Sequence, residues 1–207
     1  MKNETLWKSA FWLSIFTIGY NVIEGVISVS FGYADETLSL FGFGLDSFVE
    51  VISGIGVLHM IIRTRKDHEK KDLFERIALR ITGTSFLILT AGLIITAIIN
   101  IINKSHPSTT LWGIIISLIS ILSMTILIRL KMNIGIKLNS DSIIADANCT
   151  KACIYLSIVL LLSSVLYEVF KIGFIDSIGA LGIAYYSFRE GKEAFEKASG
   201  KECDCHE

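Results

Sequence analysis

Apolar residues run in long blocks along this chain. Six windows of about 20 mostly apolar residues, the length that crosses a hydrocarbon core of about 30 Å, can be set on it. They fall at roughly 7–31, 37–62, 78–102, 111–130, 141–167 and 172–189. Polar stretches separate them: GYADE, RTRKDHEKKDLFER, NKSHPSTT, KMNIGIKLNS and EVFKIG. This pattern predicts an all-α membrane protein, a six-transmembrane-helix bundle. A hydrophobic content of 52% and a single proline agree with that prediction and argue against a soluble domain. The N-terminal apolar run is long and lacks a small-residue cleavage site, so it reads as a retained helix.

Charge then orients the spans. The second-to-third connection holds Arg63, Arg65, Lys66, Lys70, Lys71 and Arg76, and the fourth-to-fifth adds Arg129, Lys131 and Lys137. The two ends add Lys2, Lys8, Arg189, Lys192, Lys197 and Lys201, whereas the opposite side offers little beyond Lys104 and Lys171. The positive-inside rule therefore places both termini in the cytoplasm, as six spans require. A formal net charge of -1 gives no uncompensated basic surface, so nucleic acid is not expected as a partner.

An ionisable group at the centre of a bilayer costs at least about 2.5–3.5 kcal/mol, so such groups face the bundle interior or an aqueous path. Here they recur on four spans. The first holds Asn21 and Glu24, the second Asp46 and Glu50, the fifth Asp146, Cys149, Lys151 and Cys153, and the sixth Asp176. The third and fourth are nearly free of them, which makes helices 1, 2, 5 and 6 the expected working bundle.

Two pairs share a spacing. Asp46 and Glu50 in GLDSFVEV, like Cys149 and Cys153 in ANCTKACI, are i and i+4 and so stack on one helix face. On facing helices of opposite direction both pairs reach the midplane, where four donors suit a tetrahedral divalent metal. A short echo links the two helices: Ser39 and Ser142 each stand seven residues before the first donor of a pair. That is a hint of the inverted repeats of transporters. Asn21, Glu24, Asp146 and Asp176 are candidates for supporting this site or lining its pathway. Asp146 reads either as an outlying ligand or as a hydrogen-bonded residue at the mouth.

Several neighbours have plainer readings. Lys151 projects nearly opposite the sulfurs; Gly42, Gly44, Gly54 and Gly56 permit close helix packing; His59 is interfacial; and His68 and His106 lie in loops. The tail GKECDCHE gathers Cys203, Cys205 and His206 into a soft donor cluster suited to zinc or cadmium, as an accessory metal site. A disordered charged end is its alternative. Two local cysteine pairs are too few for a secreted disulfide framework.

These motifs together resemble the cation diffusion facilitator family of divalent-metal transporters over about 190 residues. SLSLFGFGLDSFVEVISG is similar to the family's second-helix motif, SDSIIADANCTKACIYLS to its fifth, and FIDSIGALGIAYYSFREGKEAF to its sixth. The resemblance places the four-ligand transport site on Asp46, Glu50, Cys149 and Cys153. This chain departs from the family's usual carboxylate and imidazole pair by carrying thiols at both fifth-helix positions. Softer ligands favour zinc or cadmium, or still softer mercury or lead, over manganese and magnesium.

The expectation is a secondary active transporter, not an enzyme, exporting metal from the cytoplasm in exchange for protons. Zinc or cadmium would be its substrate, with no permanently bound cofactor. The expected domains are a transport domain at 1–189 and a short cytoplasmic tail at 190–207, without the family's ferredoxin-like domain. A homodimer through membrane helices, embedded in lipid, is expected in a bacterial or archaeal cytoplasmic membrane. Two other readings stay open: a membrane thiol-redox protein using Cys149 and Cys153, and a non-transporting metal sensor.

Overall fold

The computed structural model describes residues 2–64, 71–103, 107–138, 141–172 and 174–199. Six helices account for nearly all of them: α1 (Lys2–Ala34), α2 (Leu38–Thr64), α3 (Lys71–Asn103), α4 (Leu111–Leu138), α5 (Asp141–Phe170) and α6 (Phe174–Ala198). Among the described residues, five stretches are long and apolar enough to cross a membrane: Thr5–Ala34, Leu38–Gly56, Leu79–Asn103, Leu111–Leu138 and Thr150–Phe170. α6 does not reach that threshold, because its second half carries Arg189, Glu190, Lys192, Glu193 and Glu196.

Apolar side chains point both ways, as they do when the solvent is lipid. On α3, Phe86, Leu89, Leu93 and Ala97 face inward at helical spacing, while Ile88, Ile95, Ile98 and Ile102 cover the outside. The inward set joins Leu40 and Phe43 of α2, Leu156 and Leu160 of α5 and Ile183 of α6 in one core. That surface of isoleucines identifies an integral, multi-pass membrane protein.

The helices pack most extensively as three pairs, α1 with α2, α3 with α6, and α4 with α5, and α2 touches all five others. Half of its membrane window is buried, more than in any other span. Small residues allow this central position. A Cβ on Gly44 would stand 2.7 Å from the Val29 backbone nitrogen of α1, and one on Gly42 would stand 2.5 Å from Leu93 Cδ2 of α3. At Gly44, where the neighbour is backbone, only glycine permits that approach; at Gly42 the Leu93 side chain would have to move.

At the end carrying the α1–α2 turn, carboxylates from other helices satisfy the N-termini of two helices. Asp176 of α6 accepts the backbone N–H groups of Leu38 at 2.7 Å and Ser39 at 3.2 Å, and the Ser39 hydroxyl as well. Glu168 of α5 accepts the N–H of Thr110 at 2.7 Å and the hydroxyls of Thr109 and Thr110 ahead of α4. Each fills donors that a helix start leaves unpaired, where negative charge is favoured.

Several boundaries differ from the sequence expectation: α1 starts at Lys2 where 7 was expected, and α3 at Lys71 where 78 was expected, so the helix takes in Lys71 and Arg76 of the basic connection. α4 continues through KMNIGIKL to Leu138 where a break at 131 was expected, since nothing in that stretch stops a helix and its one glycine, Gly135, is buried. α6 runs past position 189 to Ala198, lying along α3, where Phe195 and Gly191 pack against Gly83.

Candidate functional site

The two acids of α2 lie inside the bundle, and different neighbours hold them. Asp46 is 2% exposed and accepts the Ser187 hydroxyl of α6 at 3.3 Å. One turn on, Glu50 accepts the side-chain amide of Asn21 on α1 at 2.8 Å through Oε2. Its other oxygen meets the thiol of Cys153 on α5, which donates to it. Cys153 is itself buried. Glu50 thus joins α1, α2 and α5 at one point.

Asp46 lies one turn before Glu50 on the same face of α2, and Glu50 contacts Cys153. Three of the four predicted donors, Asp46, Glu50 and Cys153, are therefore neighbours in the centre of the molecule. The fourth, Cys149, is one turn before Cys153 on α5, and its side chain lies outside the described residues, as does that of Asp146. Among the described residues no three His, Cys, Asp or Glu side chains stand in a metal-holding group. The thiol rests on Glu50 while Asp46 turns toward Ser187.

A second polar cluster sits beside the first. Glu24 of α1 is 7% exposed, and its oxygens accept the Tyr20 hydroxyl at 3.0 Å and the Ser47 hydroxyl of α2 at 3.2 Å. Ser120 of α4 accepts the Ser157 hydroxyl of α5 at 3.0 Å. Asn21, one turn before Glu24, uses its amide nitrogen on Glu50, and its buried Oδ1 has no hydrogen-bond partner among the described residues. Asn21 and Glu24 thus sit at the flank of the acidic pair, whereas Asp176 lies at the α2 N-terminus described above.

α4 contributes more than its apolar sequence implied. Besides Ser120 it buries Lys131, 2% exposed, whose ammonium donates to Thr150 of α5 at 3.0 Å and whose charge acts on Glu50. The expectation that helices 1, 2, 5 and 6 alone form the working bundle is corrected here. Lys131 was assigned to a cytoplasmic connection because a lysine beside Met, Asn and Gly resembles a loop; continuation of the helix carries it inward. A signal was present, since Ser117, Ser120, Met124, Leu127 and Lys131 repeat at helical spacing on one buried face.

Lys151 is exposed, on the side of α5 away from Cys153, and His59 is exposed near the far end of α2. Cys203, Cys205 and His206 lie outside the described residues, as do His68 and His106.

Chemically, the centre offers two carboxylates and a thiol, with a second thiol position one turn away in the sequence. Such a set suits a divalent cation of borderline or soft character. Compared with known families, residues 12–199 match the model of the cation efflux transmembrane domain.

Proposed function

The chain belongs to the cation efflux, or cation diffusion facilitator, family of divalent-metal transporters, and from that premise we propose that it exports a soft divalent metal from the cytoplasm in exchange for protons. Zinc and cadmium are the expected cargo, with mercury and lead as softer candidates. The observation that carries this reading is the contact of Cys153 with Glu50 beside the buried Asp46, which brings sulfur and oxygen donors from two helices to one place. Cys149 completes the set as the fourth ligand.

Exchange follows from ligand chemistry. Free thiols have a pKa of about 8.5 and are mostly protonated at neutral pH, so metal binding displaces protons and affinity rises with pH. Open to the cytoplasm, the site takes metal as protons leave; open to the other side, returning protons expel it. Six spans are proposed, α6 included, with both termini cytoplasmic in a bacterial or archaeal membrane. Residues 1–189 form the transport unit, and contacts between membrane helices make a homodimer. The tail cluster Cys203, Cys205 and His206 acts as an accessory collector of the same metals.

The test is flux of zinc, cadmium and manganese into proteoliposomes under an imposed pH gradient. Wild type is expected to move zinc and cadmium in preference to manganese, and Cys149→Ser with Cys153→Ser is expected to lose that flux. Wild-type rates in the double variant would reject the site. No flux of any metal by the folded wild type would favour the thiol-redox or sensor reading.

A further inference from the structure

Three buried carboxylates, Glu24, Asp46 and Asp176, and the partly buried Glu50 confront this fold with a charge problem, and they meet it in different ways. Asp176 is held by two backbone N–H groups and the Ser39 hydroxyl, and because an N–H can only donate, two of its three partners suit the anion alone. Asp46 and Glu50 belong to the proposed cargo site. Glu24 is the exception. Its hydrogen-bond partners are the hydroxyls of Tyr20 and Ser47, and among the described residues no lysine or arginine bonds its carboxylate.

A hydroxyl both donates and accepts, and its hydrogen rotates freely about the C–O bond. Two hydroxyls on a carboxyl can donate to the anion, and one can turn to accept from the acid with no change in backbone position; the Ser47 hydroxyl has the Phe43 carbonyl, 3.2 Å away, as its other acceptor. That is the arrangement expected of a group that gains and loses a proton within a rigid bundle. We propose that Glu24 carries an exchanged proton, at a station separate from the metal ligands. The inference rests on the proton-exchange reading above and adds to it a carrier outside the quartet.

Position supplies the coupling. Ser47, which donates to Glu24, follows Asp46 directly on α2, and Asn21, one turn from Glu24 on α1, donates to Glu50. The ionisable groups facing Glu24 are Tyr20 on its own helix, Asp46 and Glu50 from α2, and Cys153 from α5; its charge acts on all four. On α4, the Ser120 hydroxyl accepts from Ser157, and Lys131 is directed to Thr150. A divalent cation arriving at Asp46 and Glu50 therefore favours loss of the Glu24 proton, and a proton on Glu24 favours loss of the metal. Such reciprocal exclusion is the thermodynamic requirement of exchange. In the balanced step, a proton leaves the Glu24 carboxyl oxygen for the aqueous side from which metal enters. One from the opposite side replaces it when metal has gone.

Two measurements on the full chain test this. In proteoliposomes with an entrapped pH dye, the ratio of protons to cadmium ions moved is expected to fall by about one in Glu24→Gln. Stimulation of cadmium uptake by a pH gradient should fall with it, and Glu24→Asp should restore both. An unchanged ratio and full stimulation in Glu24→Gln would overturn the proposal while leaving metal exchange intact. Wild type that shows no proton movement would instead overturn the exchange reading itself. Should Glu24→Gln not transport, infrared difference spectra of purified protein with and without cadmium decide. The account expects loss of a protonated-carboxyl C=O band on cadmium binding in wild type and no such band in Glu24→Gln; the same band in both would refute it. Stimulation by a sodium gradient at equal pH, lost in Glu24→Gln, would refute the proton as the ion carried.

Discussion

Cys153 of α5 and Glu50 of α2 meet in the bundle, and the i, i+4 pairs to which they belong were legible in the sequence. GLDSFVEV and ANCTKACI identify the acids and thiols without any structure. The partners that position them were not legible. Ser187 on Asp46 and Ser47 on Glu24 are hydroxyls on helices that meet only in the folded bundle, and serine carries no distinctive hydropathy signal. Lys131 was visible but misplaced, because a charge near a span's end looks the same whether its helix stops or continues. At this scale the account predicts that Asp46→Asn lowers zinc or cadmium transport by at least about tenfold, since ligand loss costs no less than loss of a supporting hydrogen bond. Initial rates in proteoliposomes measure it, and a rate within twofold of wild type would remove Asp46 from the site.

At the scale of elements, the six helices follow from hydropathy, but their order around α2 does not. That order depends on glycines whose close approaches appear only when neighbours are known. Gly44 lies against Val29 and Gly42 against Leu93, so replacing Gly44 with alanine drives its Cβ into α1 backbone. Gly44→Ala is expected to destabilise by about 1–3 kcal/mol, the usual cost of overpacking, and a lowered melting temperature in detergent would report it. Asp176→Ala should likewise cost about 1.5–3 kcal/mol, because it strips a charged acceptor from two buried N–H groups at the start of α2. An unchanged melting temperature in Asp176→Ala would show that the α2 N-terminus does not depend on this carboxylate. The sequence marked Asp176 as an intramembrane acid; only the fold shows it pinning α6 to α2.

For the whole molecule, a family match over residues 12–199 and a surface of isoleucine and leucine agree on a membrane transporter. Topology remains to be measured at α6, whose second half is too charged to qualify as a span on composition alone. If α6 crosses, both termini share one side, and reporter fusions at each end should give the same cytoplasmic signature; opposite signatures would mean five crossings. The sequence predicted six spans here because the apolar half of α6, through FIDSIGALGIAYYSF, satisfies a shorter window than a full span requires. Packing of α6 along α3 gives that half a protein neighbour where a lone helix would meet only lipid.

The central claim is that sulfur and oxygen ligands from α5 and α2 bind one metal ion, and X-ray absorption at the zinc edge tests it most directly. The protein for this measurement carries Cys203→Ser and Cys205→Ser, so that only the intramembrane thiols remain. The account predicts one bound zinc with two sulfur neighbours at about 2.3 Å and two oxygen neighbours at about 2.0–2.2 Å, with the sulfur shell halved in Cys153→Ser. A zinc shell of oxygen or nitrogen alone would contradict it.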